Sequence, residues 1–203
     1  MSSVVAMTAI RGRFLDIKNT VAQAREIHDQ VRYVEDGLLI TKNGQIDYFG
    51  SWQAGQHLIG PDVKVEHYPE QLIVPGFIDT HIHFPQTEMI GAYGEQLLEW
   101  LNTYTFPTEL QFKDAEYSKQ IAQFFIQELL KNGTTTALVF ATVHPESVNA
   151  LFEAATAQNM RMIAGKVLMD RHAPENLCDT AQTGYEDSKT LIEKWHRKGR
   201  NLY

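Results

Sequence analysis

One cysteine, Cys178, in a chain of 203 residues leaves no internal disulfide to form and no Cys-rich zinc finger to fold. That scarcity points to a reducing compartment, so a cytoplasmic location is expected. No apolar stretch is long enough to cross a bilayer, and the first residues lack the basic start and apolar core of a secretory signal. The chain reads as a soluble protein without a membrane partner. Basic residues are in the minority, 18 Lys and Arg against 25 Asp and Glu, for a formal charge of -7. With no basic cluster able to track a phosphate backbone, nucleic acid is excluded as a partner. Dinucleotide-binding and His-Glu-x-x-His patterns are absent too. Ala164-Gly165-Lys166-Val167 lacks the upstream glycine and the Ser/Thr of a phosphate loop.

What is present is ordinary in bulk, 43% hydrophobic and 21% charged, which suits a globular chain with a sizeable core. One stretch stands out. Val74-Pro75-Gly76-Phe77-Ile78-Asp79-Thr80-His81-Ile82-His83 is an apolar run broken at its start by Pro-Gly and ended by two histidines. Side chains alternate along a strand, so His81 and His83 share one face and Ile82 takes the other. Two imidazoles side by side crowd each other unless a ligand or a solvent cavity separates them. A shared metal ion is favoured over a pair of hydrogen-bonded structural histidines, since imidazole suits zinc and iron. A catalytic zinc takes three protein ligands plus water, and two histidines do not complete that set.

Before this strand, Gly37-Leu38-Leu39-Ile40-Thr41 and Gln45-Ile46-Asp47-Tyr48-Phe49 flank Lys42-Asn43-Gly44, and Asn-Gly is a strong hairpin signal. Short apolar stretches over 3–16 and alternation over 63–68 add strands, with a polar segment at 18–30 and a loop or short helix at 52–61. His28, His57 and His67 fall in this β-rich module and read as structural. After it, residues 84–111 form a connection too long to be ordinary, and such connections usually carry function. Ala122, Phe125, Ile126, Leu129 and Leu130 then trace a helical stripe, with Asp114 as its cap and Gly133 as its stop. A strand over 134–143, a helix opening at His144-Pro145, a strand over 160–169 and a helix stopping at Gly199 follow. The apolar strands predict cover on both faces.

Alternation of this kind predicts an α/β fold with a parallel sheet, either open or closed into a barrel. In a barrel the functional groups sit at the C-terminal strand ends, where His81, His83, His144 and Asp170 fall, and that agreement favours the barrel. His144 is a third ligand by spacing, yet it serves equally as a helix cap. Asp170 reads as the end of its strand rather than as a hydrogen-bonding partner near the site. A full eight-fold barrel takes about 250 residues, so the stretch after Leu72 predicts only its first three or so βα units, with a fourth strand beginning at Arg200-Asn201-Leu202-Tyr203.

Pro75-Gly76-Phe77-Ile78-Asp79-Thr80-His81-Ile82-His83 resembles the first barrel strand of the metal-dependent amidohydrolase superfamily. His83-Phe84-Pro85-Gln86, Leu97-Leu98-Glu99-Trp100-Leu101, Tyr104-Thr105-Phe106-Pro107-Thr108-Glu109 and Asn132-Gly133-Thr134-Thr135-Thr136-Ala137 narrow the resemblance to its guanine deaminase branch. The motifs occur in order across most of the chain, the first thirty or so residues being weakest.

The resemblance implies the first part of a (β/α)8 TIM-type barrel over 71–203, preceded by a small β-sandwich portion over 1–70. It implies hydrolytic deamination of guanine to xanthine and ammonia by a zinc-activated water, with one zinc per subunit. His81 and His83 become metal ligands, while His83, Gln86, Leu97 and Trp100 become substrate-binding residues. The remaining ligands and the general acid/base residues are expected beyond residue 203, so the 203-residue chain alone is expected to be inactive. A homodimer is also implied. Two alternatives stay open: another amidohydrolase acting on a different ring amine or chloride, and a non-catalytic metal-binding fragment.

Overall fold

The computed structural model describes residues 6–94, 96–199 and 201–202. The expected strand residues at 3–5 and the ends of the Arg200 to Tyr203 strand lie outside them. The chain divides into two compact units, Met1–Pro75 and Gly76–Tyr203. The division falls past the expected 70/71 boundary because the last strand of the first unit runs on to Ile73.

The first unit contains β1 (Met7–Ile17), β2 (Val31–Lys42), β3 (Gln45–Ser51) and, after the single-turn helix α1 (Trp52–Gly55), β4 (Val65–Ile73). They form one sheet in the order β3-β2-β1-β4, with β1 antiparallel to β2, β2 antiparallel to β3 and β1 parallel to β4. Asn43 and Gly44 turn the hairpin with φ of 51° and 75°, the paired positive values that a tight turn between right-twisted strands needs. Ala9, Leu38 and Ile40 are buried against Tyr48 and Trp52, so α1 closes one face. The unit is a single layer among the described residues; a second layer that would make it a sandwich is not among them. The polar segment after β1 winds into a 3₁₀ helix at Ala24–Gln30.

The second unit holds β5 (Phe77–His83), α2 (Leu97–Trp100), α3 (Phe106–Leu110), α4 (Ala115–Lys131), β6 (Thr134–Phe140), α5 (Pro145–Ala157), β7 (Arg161–Gly165), α6 (Ala181–Trp195) and β8 (Asn201–Leu202). The four strands form one parallel sheet in the order β5-β6-β7-β8. Asp114 caps α4, its carboxylate accepting from the Tyr117 amide at 2.9 Å, and Gly133 takes φ 86° where the chain leaves the helix. α6 ends at Trp195, before Gly199, because His196 is already extended.

Ile126, Val139, Leu151, Phe152, Met162 and Leu191 belong to one buried cluster that unites the helices with one face of the sheet. The opposite face is open: Leu138 and Phe140 on β6 are 37% and 36% exposed. The expectation of strands covered on both faces is therefore corrected, since α4, α5 and α6 all pack on the same side. β6 is also shorter than its apolar run. Beyond Phe140, side chains take over from the ladder, the Thr142 amide donating to Ser147 Oγ at 3.2 Å and the His144 amide to Thr142 Oγ1 at 3.1 Å.

Candidate metal centre and its cavity

Period-2 alternation carries His81 and His83 to the open face of β5, while Ile82 packs on the helix side against the buried cluster. Their Nε2 atoms approach to 3.3 Å, long for a hydrogen bond involving N–H. Two nitrogens at about 2.0–2.1 Å from one tetrahedral zinc stand about 3.3–3.4 Å apart. The separation of the pair is therefore the one that a shared metal ion requires. Burial first, and then His81 beside it, hold the His83 imidazole below its ordinary pKa, which favours the neutral form a metal requires. Asp79, two residues back, accepts from the His81 amide at 2.9 Å and steadies the strand end.

Immediately after β5 the chain coils into a 3₁₀ turn, Phe84–Met89, that carries Gln86. Phe84 anchors this turn, fully buried with its ring 5.0 Å from Phe112 and 5.5 Å from Phe125. Thr87 Oγ1 donates to the Phe84 carbonyl at 2.6 Å, and the Tyr117 hydroxyl on α4 donates to Glu88. Burial and that carboxylate push the Tyr117 phenol well above its usual range. The turn is thus tied both to itself and to α4.

His81, His83, Gln86 and Trp100 line one cavity of about 380 Å³, together with Thr87, Met89 and Ile90. Four of the residues singled out from the sequence are brought together there. Leu97 is not among the lining residues and stands 68% exposed. The indole of Trp100 rests against Gly94, where a Cβ would come within 3.1 Å of Cδ1. No third His, Cys, Asp or Glu joins the two histidines in a metal-binding cluster among the described residues. His144 is buried at the N-terminus of α5 with Nε2 unpaired, and burial lowers its pKa. It makes no side-chain cap bond, so the capping reading does not describe it here. Asp170 is solvent-exposed beside Arg171 at 3.4 Å.

Two residues near these elements carried no role in the sequence reading. Phe140 packs on both histidines, with centroids 4.8 Å from His83 and 5.1 Å from His81; its period-2 place after Leu138 was the available signal. Glu109, on α3, is 8% exposed, and burial pushes its carboxyl up to about 7. A carboxyl raised in the folded state stabilises below its unfolded pKa and loses that contribution as pH rises through the folded value. Glu109→Gln is therefore expected to raise stability by about 1–3 kcal/mol at pH 8. The gain should fade as pH falls toward 5. Thermal unfolding at the two pH values checks this, and equal effects at both would contradict it.

Similarity to known proteins agrees with this geometry. Residues 72–201 match the amidohydrolase family. Guanine deaminase of Escherichia coli K12 is 58% identical over 203 residues, covering 100% of this chain and 46% of the relative. Mouse guanine deaminase is 43% identical over 128 residues, 63% of this chain and 27% of its own. Among solved structures, E. coli guanine deaminase superposes with a TM-score of 0.90 at 54% identity, over 98% of this chain and 44% of that one. A guanine deaminase from C. acetobutylicum with guanine in its active site gives 0.79 at 27% identity, over 97% and 45%. The chain spans about half the length of the curated relatives it matches, 46% for the E. coli protein. With the match running from the last two residues of β4 into β8 and so including the His-x-His strand, the chain belongs to the amidohydrolase family.

Proposed function

We propose that this chain forms part of an enzyme that hydrolyses guanine to xanthine and ammonia, with His81 and His83 as two ligands of one zinc ion. The observation that carries the reading is the 3.3 Å approach of the two Nε2 atoms in the cavity that Gln86 and Trp100 also line. The choice of guanine rests on the relatives, which are named guanine deaminases at up to 58% identity. A zinc ion held by these histidines supplies Lewis acidity that turns water into a nucleophile at neutral pH. The rest falls to side chains. Gln86 offers both a donor and an acceptor to a purine edge, and Trp100 provides an apolar wall. A site whose polar groups match guanine rejects analogues that leave those groups unpaired.

In the same reading, β5 to β8 are the opening strands of a (β/α)8 barrel and β1 to β4 are one layer of a small sandwich, over the proposed 71–203 and 1–70 divisions. A catalytic zinc takes three protein ligands, and no third joins the pair among the described residues; the further ligands and the general acid/base residues are proposed to lie outside them. The 203-residue chain alone is accordingly held to be inactive. The working protein is proposed as a cytoplasmic homodimer. No helix among the described residues is long and apolar enough to cross a membrane.

The test is ammonia release from guanine by a polypeptide in which this chain is continued to the length of its E. coli relative, hereafter the full-length polypeptide. Turnover of guanine, and none of adenine or a chlorotriazine, is the expected result. Preference for another ring amine or chloride would reassign the substrate within the family. Replacing Gln86 with Ala should weaken transition-state binding of guanine by about 1–3 kcal/mol if a buried partner is left unpaired. Zinc content should not change. Unaltered kcat/KM would remove Gln86 from the substrate site.

A further inference from the structure

In the pairing of β5 with β6, Phe140 is the partner of His83, and paired side chains of neighbouring strands lie on one face. Its ring stacks on the His83 imidazole at 15° between planes and meets His81 at 50°. A single phenyl ring therefore touches both histidines. The imidazole χ2 torsion is broad and does not by itself fix where Nε2 points. Metal-binding histidines usually gain that direction by donating their second ring nitrogen to a carboxylate or carbonyl. Here the only hydrogen-bond-range contact of either ring among the described residues is the one between the two Nε2 atoms. Packing against Phe140 is a restraint on both rings that the described residues do supply.

Phe140 is not part of the buried cluster beneath the helices. Phe140 is 36% exposed and points away from the face that α4, α5 and α6 cover, where Ala137 and Val139 do the packing. Accepting the reading of His81 and His83 as ligands, we propose that Phe140 is a positioning residue of the metal centre. Its ring restrains both imidazoles so that their Nε2 atoms meet at a separation one divalent cation can span.

Phe140→Leu removes the ring but keeps apolar bulk, whereas Phe140→Tyr keeps the ring. In the full-length polypeptide, chelator competition should show zinc bound about tenfold more weakly by the Leu variant, the lower end of what loss of an outer partner costs. The Co²⁺-substituted Leu variant should show a shifted d–d absorption spectrum, reporting changed ligand geometry. The Tyr variant should restore both, and metal-free thermal unfolding should be the same for all three. If the Leu variant fails to fold, Phe140→Met makes the same comparison. Parent-like affinity and spectrum in the ring-less variant, with metal lost in His83→Ala, would overturn the inference and leave the ligand assignment intact. Metal retained by His83→Ala would instead overturn the ligand assignment and the inference with it.

Discussion

Replacing His81 or His83 with Ala in the full-length polypeptide is expected to remove zinc and guanine turnover together. Each substitution deletes a donor nitrogen, and β5 holds no other histidine to replace it. Affinity should fall by more than the roughly 10–100-fold that loss of an outer partner costs. His144→Ala is the control: its imidazole is buried at the start of α5 and outside the cavity lined by the pair. Metal analysis beside ammonia release decides the matter. Full zinc occupancy with ordinary turnover after loss of either strand histidine would refute the assignment.

Gly76→Ala is expected to have the largest structural effect, because Gly76 leads directly into the strand that carries both histidines. A Cβ there would lie 2.2 Å from Thr135 Oγ1, 2.3 Å from Cγ2 and 2.8 Å from Cβ. The last of these is no flexible tip, so a rotamer change of Thr135 cannot clear the overlap. The strand cannot simply back away either, since the next amide, Phe77 N–H, donates to the Gly133 carbonyl at 2.8 Å and docks β5 beside β6. Overpacking of this kind costs about 1–3 kcal/mol. Thermal unfolding should move down by several degrees, and adding Thr135→Gly should recover most of the loss. A Gly76→Ala protein that melts like its parent and binds zinc as tightly would show that β5 is not held this closely.

Local periodicity was enough to place much of this architecture. The His81-Ile82-His83 spacing puts two imidazoles on one strand face whatever surrounds them, because side-chain alternation is a property of the extended backbone. Asn43-Gly44 marked its hairpin because few other residues accept positive φ at both turn positions. The α4 stripe, the Asp114 cap and the Gly133 stop were legible for the same reason: each depends on residues within a turn or two of one another. Cover of the strands was not legible in this way. An apolar run records the chemistry of both faces but not which of them the helices reach, and here they reach one.

The sequence by itself determined that two histidines would stand together at the end of a parallel strand, and that a long connection with Gln86 and Trp100 would follow. Only the tertiary structure decided what those groups meet. The 3.3 Å separation of the Nε2 atoms depends on side-chain torsions restrained from the neighbouring strand by Phe140, 57 positions later in the numbering. Gln86 and Trp100 share a cavity with the histidines because Phe84 is seated between Phe112 and Phe125, whereas Leu97, on the same short helix as Trp100, is turned outward. Glu109 gained its raised pKa from burial alone. These outcomes turn on strand register and on packing between segments far apart in the chain, and neither leaves a periodic mark on the residues concerned.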